Sequence, residues 1–223
     1  MPLDRKIAEG GLVDVLDVLN GNRVVGSGFR LLEGVIATAC QCLPHPTGKA
    51  LLPDPDAPSI LVLVRVSRPG HPEVAAFGAV ASAEPHSKLA LLKAATAAGL
   101  AVPEELNAAL PFERFVEDLT PAVPELSPPA QGPVFIPTRE LGWLEGAARG
   151  SAISLSEGGG RLRSDMLGLP VFGESGRAVG VITSADEGSA EARICLLSEH
   201  LPGWALRKAR DREAPKAPPP PAS

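Results

Sequence analysis

The chain has 223 residues, of which 44% are hydrophobic, so it is long enough to bury one large core or two smaller ones. The net charge is −5 and only 4% of residues are aromatic, so clustered cations and base-stacking surfaces for a nucleic-acid partner are lacking. The first residues lack the apolar stretch of a signal peptide, and no later run is long and apolar enough to span a bilayer. The three cysteines are an odd number, which favours a reducing compartment over a set of disulfides. We therefore expect a cytoplasmic protein with no membrane partner.

Short β-prone runs alternate with turn signals in the first hundred residues. Asn20-Gly21 and Glu33-Gly34 suit tight turns between strands. The runs predict six strands, at residues 12–19, 23–32, 35–38, 59–66, 72–83 and 89–94. An all-β barrel requires such a set, so residues 1–102 are predicted to form a first barrel lobe.

The composition changes in residues 103–133, which are rich in proline. Eight prolines fall between Pro103 and Pro137, and none of them has the N–H that a central strand would donate. We predict that residues 103–133 link two lobes. Apolar residues at helical spacing also predict a short helix within residues 104–119.

A second β-rich region occupies residues 134–210. Its strand candidates are residues 134–136, 151–155, 169–172, 178–183 and 193–197. A terminal helix is predicted after Pro202, with Leu201, Trp204 and Leu206 as its apolar contacts. Residues 211–223 include four successive prolines and predict a solvated, disordered tail, although such a stretch could also be a ligand for a proline-recognition domain.

Three blocks of sequence carry a resemblance to a known family. They are Gly26-Ser-Gly-Phe29 with the following Thr-Ala-Cys-Gln, then Lys88-Leu-Ala-Leu-Leu-Lys93, and finally Asp165-Met-Leu-Gly-Leu-Pro-Val-Phe172. In this order and spacing they resemble the G-S-G-F, T-A-x-H, D-L-A-L-L-K and G-x-S-G-G-P-V-F segments of trypsin-like serine peptidases, particularly the bacterial ones. Over roughly residues 12–207, the resemblance implies two six-stranded antiparallel β-barrels, a chymotrypsin-like double barrel, with a C-terminal helix.

The chain departs from this family at every catalytic position. Gln41 stands where the family has its general-base histidine, and an amide does not exchange a proton near neutral pH. Lys88 replaces the orienting aspartate, and its charge would repel an imidazolium. Leu167 replaces the nucleophilic serine and has no heteroatom. Asp165 replaces a glycine of the last block and would disfavour an oxyanion nearby, whereas Gly168 is retained.

These substitutions imply a pseudoprotease whose former cleft binds a protein or peptide partner. The candidate cleft residues are Gln41, Lys88, Asp165, Leu167 and Gly168. An extended peptide could be held there as a strand added to an exposed sheet edge, which needs no catalytic triad. The sequence leaves open whether Leu167 and Leu169 fill the cleft.

Two other functions remain open. An active hydrolase would need a relocated nucleophile. The candidates are Cys40 or Cys42 with His45, and Ser164 with His86. The alternative for Cys42 is a buried free thiol, because the upstream cysteine with which the family pairs it is missing here. The chain could also be a structural subunit of a larger assembly, in which the cleft has no role.

Neither a metal nor a cofactor is expected. The four histidines, at positions 45, 71, 86 and 200, show no H-x-x-x-H spacing, and the cysteines show no C-x-x-C spacing. Gly158-Gly-Gly160 lacks the Lys-Ser/Thr pair and the helix that a phosphate-binding loop requires, so it predicts a hairpin tip instead. Cys195 lies in an apolar strand and is expected in the core.

Overall fold

The computed structural model describes residues 9–17, 20–32, 34–43, 61–66, 73–84, 86, 88–94, 110–138, 142–156 and 160–213. The predictions made for His45, for residues 157–159 and for the tail after Glu213 fall outside these ranges. No helix in the described ranges combines the length and the hydropathy needed to span a membrane.

The first half of the chain forms a closed antiparallel barrel. Its strands, within the described residues, are β1 (Leu12–Asp17), β2 (Arg23–Leu32), β3 (Val35–Ala39), β4 (Leu61–Val66), β5 (Val74–Glu84) and β6 (Leu89–Ala94). They follow the order β1-β2-β3-β6-β5-β4, and β1 closes the barrel by pairing with β4. Each of the six predicted runs overlaps a strand, and β2 and β6 have the predicted bounds.

The proline-rich segment packs against this barrel as it crosses to the second one. It contains helix α1 (Phe112–Glu117), which begins directly after Pro111. Phe112, Phe115 and Val116 are buried in the same cluster as the first barrel's interior. The helix predicted within residues 104–119 is therefore present, at Phe112–Glu117.

The second half forms another closed antiparallel barrel. Among the described residues its strands are β7 (Gln131–Pro137), β8 (Trp143–Arg149), β9 (Ala152–Leu155), β10 (Pro170–Gly173), β11 (Ala178–Ala185) and β12 (Glu191–Leu196). Their order is β10-β11-β12-β9-β8-β7. The prediction of two six-stranded antiparallel barrels is confirmed. Strand β8 was not among the strand candidates, and β7 begins at Gln131, inside the segment predicted as a linker.

Two short helices end the described chain. Helix α2 (Leu197–His200) continues from β12, and α3 (Gly203–Glu213) starts after Pro202, where the helix was predicted to begin. It extends three residues into the segment 211–223 that was predicted as a disordered tail. Leu201 is buried, and Trp204 and Leu206 pack against the core. The ammonium of Lys93 on β6 lies 3.4 Å from the centroid of the Trp204 ring, so α3 also contacts the first barrel.

The core consists of two hydrophobic clusters. One fills the first barrel, and the other fills the second barrel and includes residues from the first, among them Phe29 and Leu31 of β2. The half-buried Leu167 packs against both clusters. Leu167 thus joins the two clusters, and the two barrels pack directly against each other where they meet.

Candidate functional site

The Gly26-Ser-Gly-Phe29 block explains how the sequence blocks come together. A Cβ on Gly26 would lie 2.2 Å from Cys42 Sγ and 2.9 Å from the Leu167 carbonyl oxygen, so only glycine fits between them. The Ser27 N–H donates to that same carbonyl at 2.7 Å, and the Ser27 hydroxyl donates to the Asp165 carbonyl at 3.2 Å. Strand β2 of the first barrel thereby holds the loop that precedes β10.

Gly168 is fixed in this loop by its backbone conformation and its neighbours. Its φ is +85°, and a Cβ would lie 1.8 Å from the Ser27 carbonyl oxygen and 2.7 Å from Thr38 Oγ1. The Gly168 N–H donates to the carbonyl of Ile182 at 2.8 Å. The glycine therefore lets the loop lie directly against both barrels.

Gln41 bridges the barrels. It is exposed on a 3₁₀ helix (Cys40–Cys42) that follows β3, and its Nε2 donates to the Thr183 carbonyl of β11 at 2.9 Å. The β11–β12 register shifts between Ile182 and Ser184. Thr183 lies at that irregularity, so its carbonyl is available to the first barrel instead of the β12 ladder.

Lys88 adjoins Gln41 through the backbone. The N–H of Cys40 donates to the Lys88 carbonyl at 2.7 Å, and the N–H of Lys88 donates to the Glu84 carbonyl at 2.7 Å. The φ of Lys88 is +61°, in the left-handed region that is uncommon for residues other than glycine. These backbone bonds hold the residue there, while Lys88 itself is exposed.

Asp165 and Leu167 belong to the loop before β10. Asp165 lies in a second 3₁₀ helix (Ser164–Met166), and the Leu167 N–H that follows it donates to the Ser164 carbonyl at 3.4 Å. The Asp165 carboxylate accepts two hydrogen bonds from the Arg163 guanidinium, at 3.1 Å and 2.6 Å. The Asp165 carboxylate is therefore paired with a cation from its own loop.

Cys40 and Cys42, which flank Gln41, are poor nucleophiles. Burial raises the pKa of the Cys40 and Cys42 thiols from 9.0 to about 11 in each case. The Cys40 thiol donates to the Leu89 carbonyl at 3.2 Å, and the Cys42 thiol to the Leu167 carbonyl at 3.5 Å. Cys40, Cys42 and Cys195 are free thiols, and Cys195 is buried in the core as expected.

His86 and Ser164, the other pair considered for relocated chemistry, each contact a carboxylate. His86 Nδ1 lies 3.1 Å from Glu84 Oε1, and the His86 side chain is 97% exposed. Backbone and side-chain hydrogen bonds from His86 hold the pKa of Glu84 below its usual value. The Ser164 N–H donates to Glu187 Oε2 at 2.9 Å. In the part of the chain that the structure describes, no hydrogen bond joins His86 to Ser164.

The structure thus brings Gln41, Lys88 and Leu167 to one region. Gln41 and Lys88 are linked through Cys40, and Leu167 touches the neighbouring Cys42. Across the described ranges, no group of three or more His, Cys, Asp or Glu residues is placed to hold a metal ion.

Two residues at this site, Thr183 and Arg163, were not singled out from the sequence. Arg163 could have been found, because it precedes Asp165 by two residues and carries the opposite charge. Thr183 could not, because its contact with Gln41 depends on a register shift that leaves no mark in the sequence.

Comparisons with known proteins agree on the architecture. No family model and no curated protein matches the chain. Similar solved structures include the active form of the Rv3671c protease from M. tuberculosis (TM-score 0.54, 16% identity, 92% of this chain and 82% of that one). Another is the MamO protease domain from Magnetospirillum magneticum (TM-score 0.52, 17% identity, 88% of this chain and 98% of that one).

A third is Deg5 (TM-score 0.51, 16% identity, 85% of each chain). The fold is the chymotrypsin-like double barrel. At these identities the likeness concerns the fold alone. In this double barrel, the Gln41 bridge and the loop of Leu167 lie where the two barrels meet, and Lys88 adjoins Gln41 through Cys40.

Proposed function

We propose that this double barrel is a catalytically inactive, trypsin-like homologue that binds a protein or peptide segment in the cleft between its barrels. One observation carries the proposal. Gln41, at the position where the trypsin-like pattern has its base, uses its amide as a hydrogen-bond donor to the Thr183 carbonyl. An amide held in this way cannot accept a proton from a nucleophile.

The surrounding groups support the same conclusion. Leu167 offers no atom that could attack a carbonyl, and its side chain packs against both hydrophobic clusters. Lys88 brings a cation to the position where an imidazolium would need an anion. The thiols of Cys40 and Cys42, with pKa values of about 11, are almost entirely protonated at neutral pH.

The edge of β11 offers a way to bind without catalysis. Within the described residues, β11 pairs with β10 from Ala178 to Val181, whereas its pairing with β12 continues to Ala185. The stretch 183–185 thus extends beyond the β10 ladder, and the Thr183 carbonyl receives the Gln41 amide there. A backbone N–H of an extended peptide could replace this amide, since a strand added to a sheet edge supplies the same kind of donor.

A peptide selection tests this mode of binding. Extended peptides from a display library would be selected for binding to the purified chain. Their affinities would then be measured for the wild type and for Gln41→Arg, whose larger side chain obstructs the β11 stretch 183–185. Ser154→Arg, on the exposed face of β9, is the matched control. We expect selected peptides to lose about tenfold in affinity for Gln41→Arg, or about 1.4 kcal/mol, and to keep their affinity for Ser154→Arg.

Two results would remove support for the proposal. If the selected peptides bind Gln41→Arg with the same affinity as the wild type, the partner binds at another surface. Stoichiometric labelling of one side chain by a hydroxyl- or thiol-directed covalent probe, abolished by denaturation, would instead favour a relocated nucleophile.

We also propose a bacterial cytoplasmic location. Its supports are the three free thiols, which suit a reducing compartment, and the likeness of the sequence blocks to bacterial members of the family. Fractionation of a native host cell, with detection of this chain by mass spectrometry, tests the location. Recovery in a secreted or periplasmic fraction would contradict it.

A further inference from the structure

The second barrel contains a pocket that lies away from Gln41, Lys88 and Leu167. Its volume is about 350 Å³, near the lower end of the range typical of small-ligand sites (~300–1,000 Å³). Its wall is formed by strands β7, β8, β10, β11 and β12, by the residues before β7 and by the β10–β11 turn. None of the candidate cleft residues lines it.

Much of the wall of this pocket is apolar, and its proline part is stiff. Its apolar part includes Val134, Val179 and Ile194, which belong to the barrel core. Pro128 and Pro129 also line it, and their rings have almost no rotamer freedom to lose when a ligand binds. A compact apolar group could therefore enter with little ordering of the wall.

The charged groups of the lining are all of one sign. Glu125 and Glu174 line the pocket, and the lining contains no Lys, Arg or His. One Glu125 oxygen accepts a hydrogen bond from the Ser175 hydroxyl at 3.0 Å, and the other from the Ser127 N–H at 3.4 Å. A carboxylate can accept about four hydrogen bonds, so Glu125 keeps capacity for a cationic donor.

We propose that this pocket binds a compact aliphatic group that carries an ammonium. The aliphatic part lies against Val134, Val179 and Ile194, and the ammonium lies at Glu125 and Glu174. The volume sets the size of the aliphatic part, and the two carboxylates select the charge. A free amine and the lysine side chain of a peptide both have this chemistry, and the site is independent of the proposed cleft function.

Methyl NMR titration of the full chain tests the site. The probes are cyclohexylammonium, neutral cyclohexanol, cyclohexanecarboxylate and the peptide acetyl-Ala-Pro-Lys-Ala-Pro-amide. We expect the two ammonium probes, or one of them, to shift the Val134, Val179 and Ile194 methyl resonances saturably. Binding of cyclohexylammonium alone identifies a small amine as the ligand, and binding of the peptide alone identifies a lysine side chain.

Charge variants make the test specific. In the double variant Glu125→Gln/Glu174→Gln we expect the affinity for the ammonium probe to fall about three- to tenfold, since exposed ion pairs are individually weak. Glu145→Gln/Glu191→Gln removes two charges from exposed positions that do not line the pocket and should leave the affinity unchanged. The proposal is overturned if no probe gives a saturable shift, if cyclohexanol or the carboxylate binds as well as the ammonium, or if both double variants behave alike.

Discussion

Gly168 offers the sharpest test of how the loop before β10 fits between the barrels. An alanine there would have a left-handed backbone at φ +85°, which costs about 1–2 kcal/mol for a residue with a Cβ. Its methyl group would also lie 1.8 Å from the Ser27 carbonyl oxygen and 2.7 Å from Thr38 Oγ1. Relief of such overlap in a packed interior costs about 1–3 kcal/mol. We therefore expect Gly168→Ala to lower the free energy of unfolding by about 2–5 kcal/mol.

Gly188→Ala separates the two contributions. Gly188 also has a left-handed backbone, at φ +73°, but a Cβ there would meet no atom within 4 Å. Its substitution should cost only the backbone part, about 1–2 kcal/mol. Both variants reduce the entropy of the unfolded chain in the same way, so the difference between them, about 1–3 kcal/mol, reports the overlap with Ser27 and Thr38.

Urea unfolding followed by tryptophan fluorescence measures this difference. With a slope of about 2 kcal/mol per molar urea, the midpoint of Gly168→Ala should lie about 0.5–1.5 M below that of Gly188→Ala. Failure of Gly168→Ala to fold while Gly188→Ala folds would support the same account. Equal midpoints would refute it, because they would show that the loop does not lie against the Ser27 carbonyl.

Three further outcomes are expected. Gln41→Ala should lower the free energy of unfolding by about 0.5–1.5 kcal/mol in the same assay, because the donor to the Thr183 carbonyl is lost. An unchanged urea midpoint would contradict the Gln41–Thr183 hydrogen bond. Leu167→Ser should lower the free energy of unfolding by about 1–3 kcal/mol, because Leu167 packs against both clusters. The variant should still hydrolyse no ester in a chromogenic assay, because the serine has no base beside it, and measurable hydrolysis would contradict this.

The thiols of Cys40 and Cys42 should react with iodoacetamide at pH 8 about 100-fold more slowly in the native chain than in the urea-unfolded chain, because pKa values of about 11 in place of 9.0 deplete the thiolate. The native rate should rise with pH up to about 11, and equal native and unfolded rates at pH 8 would contradict the raised pKa values.

The strands that the sequence predicts best are those with clear alternation and clear turns. β2 starts after the Asn20-Gly21 turn signal, and its predicted bounds match the structure. β8 was missed because Trp-Leu-Glu-Gly-Ala-Ala-Arg contains no β-branched residue, and it forms a strand through its pairing with β7 and β9. Tertiary pairing there overrides a weak local preference.

The site shows the same division between local signals and long-range contacts. The sequence blocks identified Gln41, Lys88 and Leu167, and the fold brings these three residues to one region. The sequence could not predict which contacts these side chains make. The Gln41 bond to Thr183 joins residues 142 positions apart, and it depends on the relative position of two barrels.

The proposed function requires that this double barrel does not hydrolyse peptides or esters. Its most direct test is turnover of a mixed peptide and ester substrate panel by the wild type, measured through successive purification steps alongside Ser164→Ala, Cys40→Ala and Cys42→Ala. We expect only the background rate, identical for all four proteins. Turnover that copurifies with the wild type and disappears in one of these variants would contradict the claim.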